Sequence, residues 1–187
     1  MTTEYPKMHT IYKGLFDLDR LTITVRNFLI QEGFVPLTFP EDGIPKDETA
    51  WETYYSERGS PTRYDIRWET KKVANNYFRH LISVRFVTVA ATKVEVPIEG
   101  KKERMHSGEV DVEIKGVLET DYKKEWENHW FLKHVKKKYE VKIMRDEREA
   151  KEGNLLWTIN QLNNVVKKYL RIESKEIPGV IEEARRM

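Results

Sequence analysis

Histidine is the residue type best able to work chemically near neutral pH, and this chain carries five: His9, His80, His106, His129 and His134. No two of them stand four apart, and the HExxH pattern of metalloproteases is absent. Glu125 and His129 do stand four apart on a segment with helical spacing, where a surface ion pair is the expected role rather than metal ligation. With no cysteine, a thiolate metal site, a disulfide and a cysteine nucleophile are excluded. GxGxxG, GxxxxGK[ST] and GxSxG are all missing, and the nine glycines do not cluster to cradle a phosphate. Asp111, Glu113, Glu119 and Asp121 alternate in a way that could mimic paired catalytic carboxylates. The same alternation describes the wet face of a strand, with Arg79 and Arg85 as cross-strand partners. No catalytic residue, metal ligand or cofactor is assigned, and the expectation leans away from an enzyme.

Two groups of residues remain. Trp68, Phe78, His80, Phe86, Gly116 and Trp157 fall where a sheet and a helix would meet, and could line a cavity or fill a solid core. His80 shares its strand face with Phe78 and Ile82, which makes it either a satisfied core histidine or a polar group inside a ligand cavity. The second group is basic. Lys101, Lys102 and Arg104 cluster at one turn, while Lys133, His134, Lys136, Lys137, Lys138, Lys142 and Arg145 crowd one later segment beside Trp126 and Trp130. Lys101, Lys102, Arg104, Lys136 and Lys137 are the candidates for touching a partner. A nucleic-acid surface uses such groups. A solvated helix face balanced by Glu140, Asp146, Glu147 and Glu149 is the preferred reading, so nucleic acid ranks below a protein partner or a homo-oligomer.

The elements that must position these residues follow from periodicity. Residues 8–16 read as a short opening strand; Asp17 then caps a helix whose apolar stripe is Leu18, Leu21, Val25, Phe28 and Leu29, stopped by Gly33. Residues 36–50 hold three prolines and several acids and read as a long loop. Trp51–Arg58 is a strand, and Arg63–Val73 alternates cleanly with Tyr64, Ile66 and Trp68 on the buried side. Tyr77–Val96 is strand-forming throughout, with neither proline nor glycine. At ~3.3 Å per residue it would run roughly 66 Å if straight, longer than the ~40 Å diameter of a domain this size. A bulge near Thr88–Thr92, where the second face also turns apolar, would bend it. Residues 97–108 form the hairpin tip, with 97–104 read as a charged loop, and Glu109–Tyr122 alternates again, with a kink expected at Gly116. Helical spacing takes over at 124–143. A long helix follows, starting near Glu147 or at Asn154, with a seam of Leu155, Ile159, Leu162, Val166 and Tyr169. The charged tail, 172–187, is expected to fray or to form one short amphipathic turn.

The whole, 1–187, reads as a single α+β domain: a curved antiparallel sheet, an N-terminal helix after a short first strand, and a long C-terminal amphipathic helix packed on the sheet. Lys+Arg of 33 against Asp+Glu of 31 argues against a dedicated nucleic-acid binder. No apolar run reaches the ~20 residues of a membrane span, and the N-terminus lacks a signal-peptide core, so a cytoplasmic protein is expected. The high charge content and absence of cysteine resemble heat-adapted proteins.

The order of the helix Leu18–Leu29, the strands 63–73, 77–96 and 109–122, and the helix Leu155–Leu170 resembles the helix-grip architecture of the Bet v 1/START-like superfamily. That resemblance is one of architecture and implies an apolar small molecule or lipid held between sheet and final helix. Ala90, Ala91 and Gly116 are candidates for the small residues such a cavity needs. The alternative is a structural or assembly protein that uses the 88–110 hairpin to reach a protein or nucleic-acid partner; its tip would touch nothing of its own core.

Overall fold

In a computed structural model of the chain, the alternating stretches pair into one open, seven-stranded antiparallel sheet. The structure describes residues 2–40, 43, 45, 48–98 and 101–176, with the backbone alone at 48, 98, 101, 137, 141 and 171–176. In chain order the elements are β1 (Thr2–Glu4), β2 (Met8–Phe16), α1 (Leu18–Gln31), β3 (Val35–Pro36), β4 (Glu52–Arg58), β5 (Arg63–Val73), β6 (Phe78–Ile98), β7 (Lys101–Thr120), α2 (Glu125–Asn128), α3 (Leu132–Lys142) and α4 (Arg145–Glu176). Strands β7, β6 and β5 form the centre, β1 and β2 extend it beside β7, and β3 and β4 pair with β5 on the other side. The α+β expectation, with an N-terminal helix and a long C-terminal helix on the sheet, is met.

Period-two alternation gives the sheet one apolar face. Tyr64, Ile66 and Trp68 of β5, Ile82, Val84 and Phe86 of β6, and Val110, Val112, Ile114 and Leu118 of β7 are all buried. Against them lie Leu155, Ile159, Leu162, Val166 and Leu170 of α4 and Leu18, Leu21, Val25 and Leu29 of α1. Burial of each large side chain contributes about 1.5–3 kcal/mol, so this face holds the fold together. Tyr169 of the expected seam is only partly buried, and Leu170 takes its place in the core. Asp17 caps α1 as its type suggests, its carboxylate accepting from Arg20 N at 3.1 Å. The opposite sheet face is a lattice of ion pairs: Arg79 with Glu119 at 2.8 Å, Arg85 with Asp65 at 2.7 Å, and Lys115 with Glu4 at 2.7 Å.

The β6–β7 register slips between Val89 and Thr92, where Ala90 adopts φ 53°, so the expected bulge is present. Beyond it, Val96 and Met105 are buried in a second small cluster with Leu15 and Val94, and Glu103 accepts from Arg20 of α1 at 3.1 Å. The paired part of the hairpin therefore rests on its own body.

Two expectations need correction. The described residues of the charged loop expected over 97–104 are strand instead, because pairing continues to Ile98↔Lys101 and Pro97 sits opposite Lys102. Gly116 does not kink β7; it pairs regularly with Ile82 and lets α4 approach, since a Cβ there would lie 2.1 Å from Ile159 Cδ1. Of the two starts expected for the last helix the earlier holds: it begins at Arg145 and runs through Gly153, with Arg145–Glu149 and Arg148–Glu152 pairs supporting its first turns. Its backbone is helical to Glu176, within the charged tail; residues 177–187, and 41, 42, 44, 46 and 47 of the loop 36–50, lie outside the described residues.

Candidate functional site

His80 opens β6, directly across from Lys72 on β5. The even register that buries Ile82 and Phe86 carries His80 inward as well, leaving it 5% exposed. Its Nε2 is buried without a hydrogen-bond partner. A buried ring nitrogen ordinarily finds a partner, which makes this one informative. It lines a groove of about 290 Å³ with Glu32 at the end of α1, Lys72, Val73 and Ala74 at the end of β5, and Lys151, Asn154, Trp157 and Thr158 on α4. Trp157 is 56% exposed and supplies an aromatic wall.

Burial pushes the His80 pKa down to about 4, and the charges of Lys72 and Lys151 push the same way, offset in part by the Lys151 main chain. The ring is therefore neutral at pH 7, with one nitrogen able to donate and the other to accept. Between pH ~6.5 and ~4 the unfolded chain binds a proton that the folded ring refuses, so this stability is complete above ~6.5 and lost as pH falls toward 4. The loss reaches at most about 3 kcal/mol. His80→Gln should flatten that part of the pH dependence, measured as urea midpoints near pH 7 and pH 4.5. Equal pH slopes for both proteins would contradict the assignment.

The structure brings His80 and Trp157 together in the groove but not the other cavity candidates. Trp68, Phe78 and Phe86 sit in the packed core, with Trp68 edge-on to Phe86 at 5.1 Å and to Trp51 at 6.0 Å. Gly116 is covered by Ile159. Among the basic candidates, Lys102 is exposed beside Glu95, Arg104 is exposed, and Lys136 is tied to the buried Asp121 at 2.8 Å. Of Lys101 and Lys137 only the backbone is described.

A second hollow of about 280 Å³ lies on the charged sheet face, lined by Lys7, Arg67, Glu69, Ser83, Arg85, Glu113 and Lys115 among others. Its cations are already matched: Arg67 and Arg85 to Asp65, Lys7 to Glu113, Lys115 to Glu4. Beside it His9, Asp111 and Glu113 place donor atoms within 4.8 Å of one another. His9 Nδ1 lies 3.2 Å from Asp111 Oδ2, while Lys7 and Arg85 approach Glu113 at 3.4 and 3.6 Å and neutralise it. This cluster is invisible along the chain, because antiparallel register, not spacing, pairs His9 with Glu113. No family model matches the chain, and no curated protein matches its sequence. Among the described residues no helix is long and apolar enough to cross a membrane.

Proposed function

We propose that the chain is a non-catalytic binding protein that holds a small organic anion with an apolar body in the groove between β5, β6 and α4. The observation that carries the reading is the unpartnered, buried Nε2 of His80 between two lysines. The ammonium groups of Lys72 and Lys151 would attract a carboxylate or phosphate, Nε2 of the neutral imidazole would accept a hydrogen bond from a hydroxyl of the same ligand, and Trp157 would cover the apolar part. A long final helix on an antiparallel sheet is compatible with the helix-grip arrangement, whose members hold apolar ligands between those layers. Here Ile159 fills the space at Gly116, so the ligand is assigned to the rim of the helix and not the middle of the sheet. The alternative of the hairpin as a free arm is less favoured, because Glu103 and Met105 engage Arg20 and Leu15.

3-Hydroxydecanoate, which offers a carboxylate to the lysines and a hydroxyl donor to His80, is a suitable probe. At a hundred-fold excess over its dissociation constant, binding to the folded state should raise the melting temperature by roughly 5–10 °C. Lys151→Glu and Trp157→Ala should remove that shift while leaving the ligand-free melt nearly unchanged, since Trp157 is exposed. Native mass spectrometry with no co-purified ligand, together with no thermal shift for medium-chain carboxylates or phosphates, would overturn the reading.

A further inference from the structure

Helix α3 and the aromatic residues before it form a second surface that the groove does not use. From His129 to Arg145 the sequence holds Lys133, Lys136, Lys137, Lys138, Lys142 and Arg145 against one acid, Glu140. That acid does not balance the outer face. Glu140 is buried, accepting from Tyr77 Oη at 2.6 Å and Thr120 Oγ1 at 3.1 Å. Lys136 also turns inward, to Asp121, and Arg145 is matched by Glu149. Lys133, Lys138 and Lys142 are left exposed, and among the described residues none of the three has an acidic partner in an ion pair.

At one end of this cationic face stand Trp130, 76% exposed, and Phe131, 51% exposed, with ring centroids 5.7 Å apart. The His129 ring lies nearly parallel to Trp130 at 6.4 Å. Large aromatics held this far into water beside unmatched cations are what a stacking, phosphate-binding surface requires. A helix lying in a membrane would instead present an apolar stripe outward. The outward positions of α3 are His134 and Lys138, flanked by Lys133 and Lys142, while Leu132, Val135 and Tyr139 are more enclosed.

We infer that this surface binds single-stranded nucleic acid, with bases stacked on Trp130 and Phe131 and the phosphates following Lys133, Lys138 and Lys142. Three phosphate contacts would give a slope of log affinity against log salt of about −2. The test is fluorescence anisotropy of a short labelled oligo(dT) with the full chain, from low to moderate salt, alongside co-sedimentation with phosphatidylcholine/phosphatidylserine vesicles. Trp130→Ala with Phe131→Ala should weaken oligonucleotide binding roughly ten-fold or more. Lys133→Glu with Lys138→Glu and Lys142→Glu should abolish it at every salt concentration. Both variants change exposed side chains, and unchanged circular dichroism melts would confirm that they fold. No binding by the parent chain at low salt, or binding that both variants retain, overturns the inference. Vesicle binding without oligonucleotide binding overturns it too and assigns the surface to anionic lipid.

Discussion

Lys136→Met is expected to cost about 3 kcal/mol or more, because it strands a carboxylate inside the protein. Asp121 follows the last residue of β7, and its φ of 53° swings the side chain out of the strand's alternation and under α2. There it is almost wholly buried and receives Lys136 Nζ at 2.8 Å, Trp126 N at 3.1 Å and Glu127 N at 3.0 Å. Burial alone would raise its pKa, but the Lys136 bond and the two main-chain donors outweigh that and leave it lowered. The stabilisation from this carboxylate is therefore present above the ordinary unfolded value near 4 and lost as pH falls through the lowered folded one. A methionine side chain would match the lysine stem in shape while removing the charge. Urea unfolding near pH 7 should show the loss, and Asp121→Asn on the same background should restore much of it, the signature of a coupled pair. A Lys136→Met protein as stable as its parent would mean that the two main-chain donors suffice.

Gly108→Val should be comparably damaging, for a steric reason. A Cβ at Gly108 would lie 2.9 Å from Ala90 O, 3.0 Å from Val89 O and 3.0 Å from Ala91 Cα. All three are main-chain atoms of the bulge, which cannot move without breaking the Thr62–Ala91 bridge and its bonds of 3.0 and 2.9 Å. Overpacking of this kind costs about 3 kcal/mol, a fall in melting temperature of roughly 6–12 °C. Gly116 offers the contrast. Its near neighbour is the tip of the Ile159 side chain, which can rotate, so Gly116→Ala should cost less than Gly108→Ala. The reverse order would show that the bulge is softer than its hydrogen bonds imply.

These two sites mark where sequence reasoning succeeds and where it stops. Strand β5 is legible because one face is apolar and the other charged from Arg63 to Glu69. The bulge is legible because the alternation fails there. Asp121 is not: it shares the odd register of Asp111, Glu113 and Glu119, and only the backbone turn after Thr120 separates it from them. Glu140 passes for a surface counter-ion because helical spacing alone does not show that Tyr77 lies beneath it. The hairpin tip passes for a loop because Pro97 and Gly100 are turn residues by type, yet proline fits a strand wherever its nitrogen need not donate. Strands β1 and β3 are too short, at three and two residues, to carry a period. The groove is half legible. His80 can be placed on a face, but Glu32, Lys72 and Lys151 reach it from elements that no spacing rule connects.

The bulge at Ala90–Ala91 also divides the molecule in time. On one side of it β6 is locked beneath α4 by the main core; on the other, Val96 and Met105 share a small cluster that, among the described residues, adds Leu15 and Val94 alone. Amide protons of 80–87 should exchange with solvent only through global unfolding, whereas those of 92–97 and 102–107 should exchange together through a partial opening of lower free energy. The long ribbon is one strand in space and two units in cooperativity.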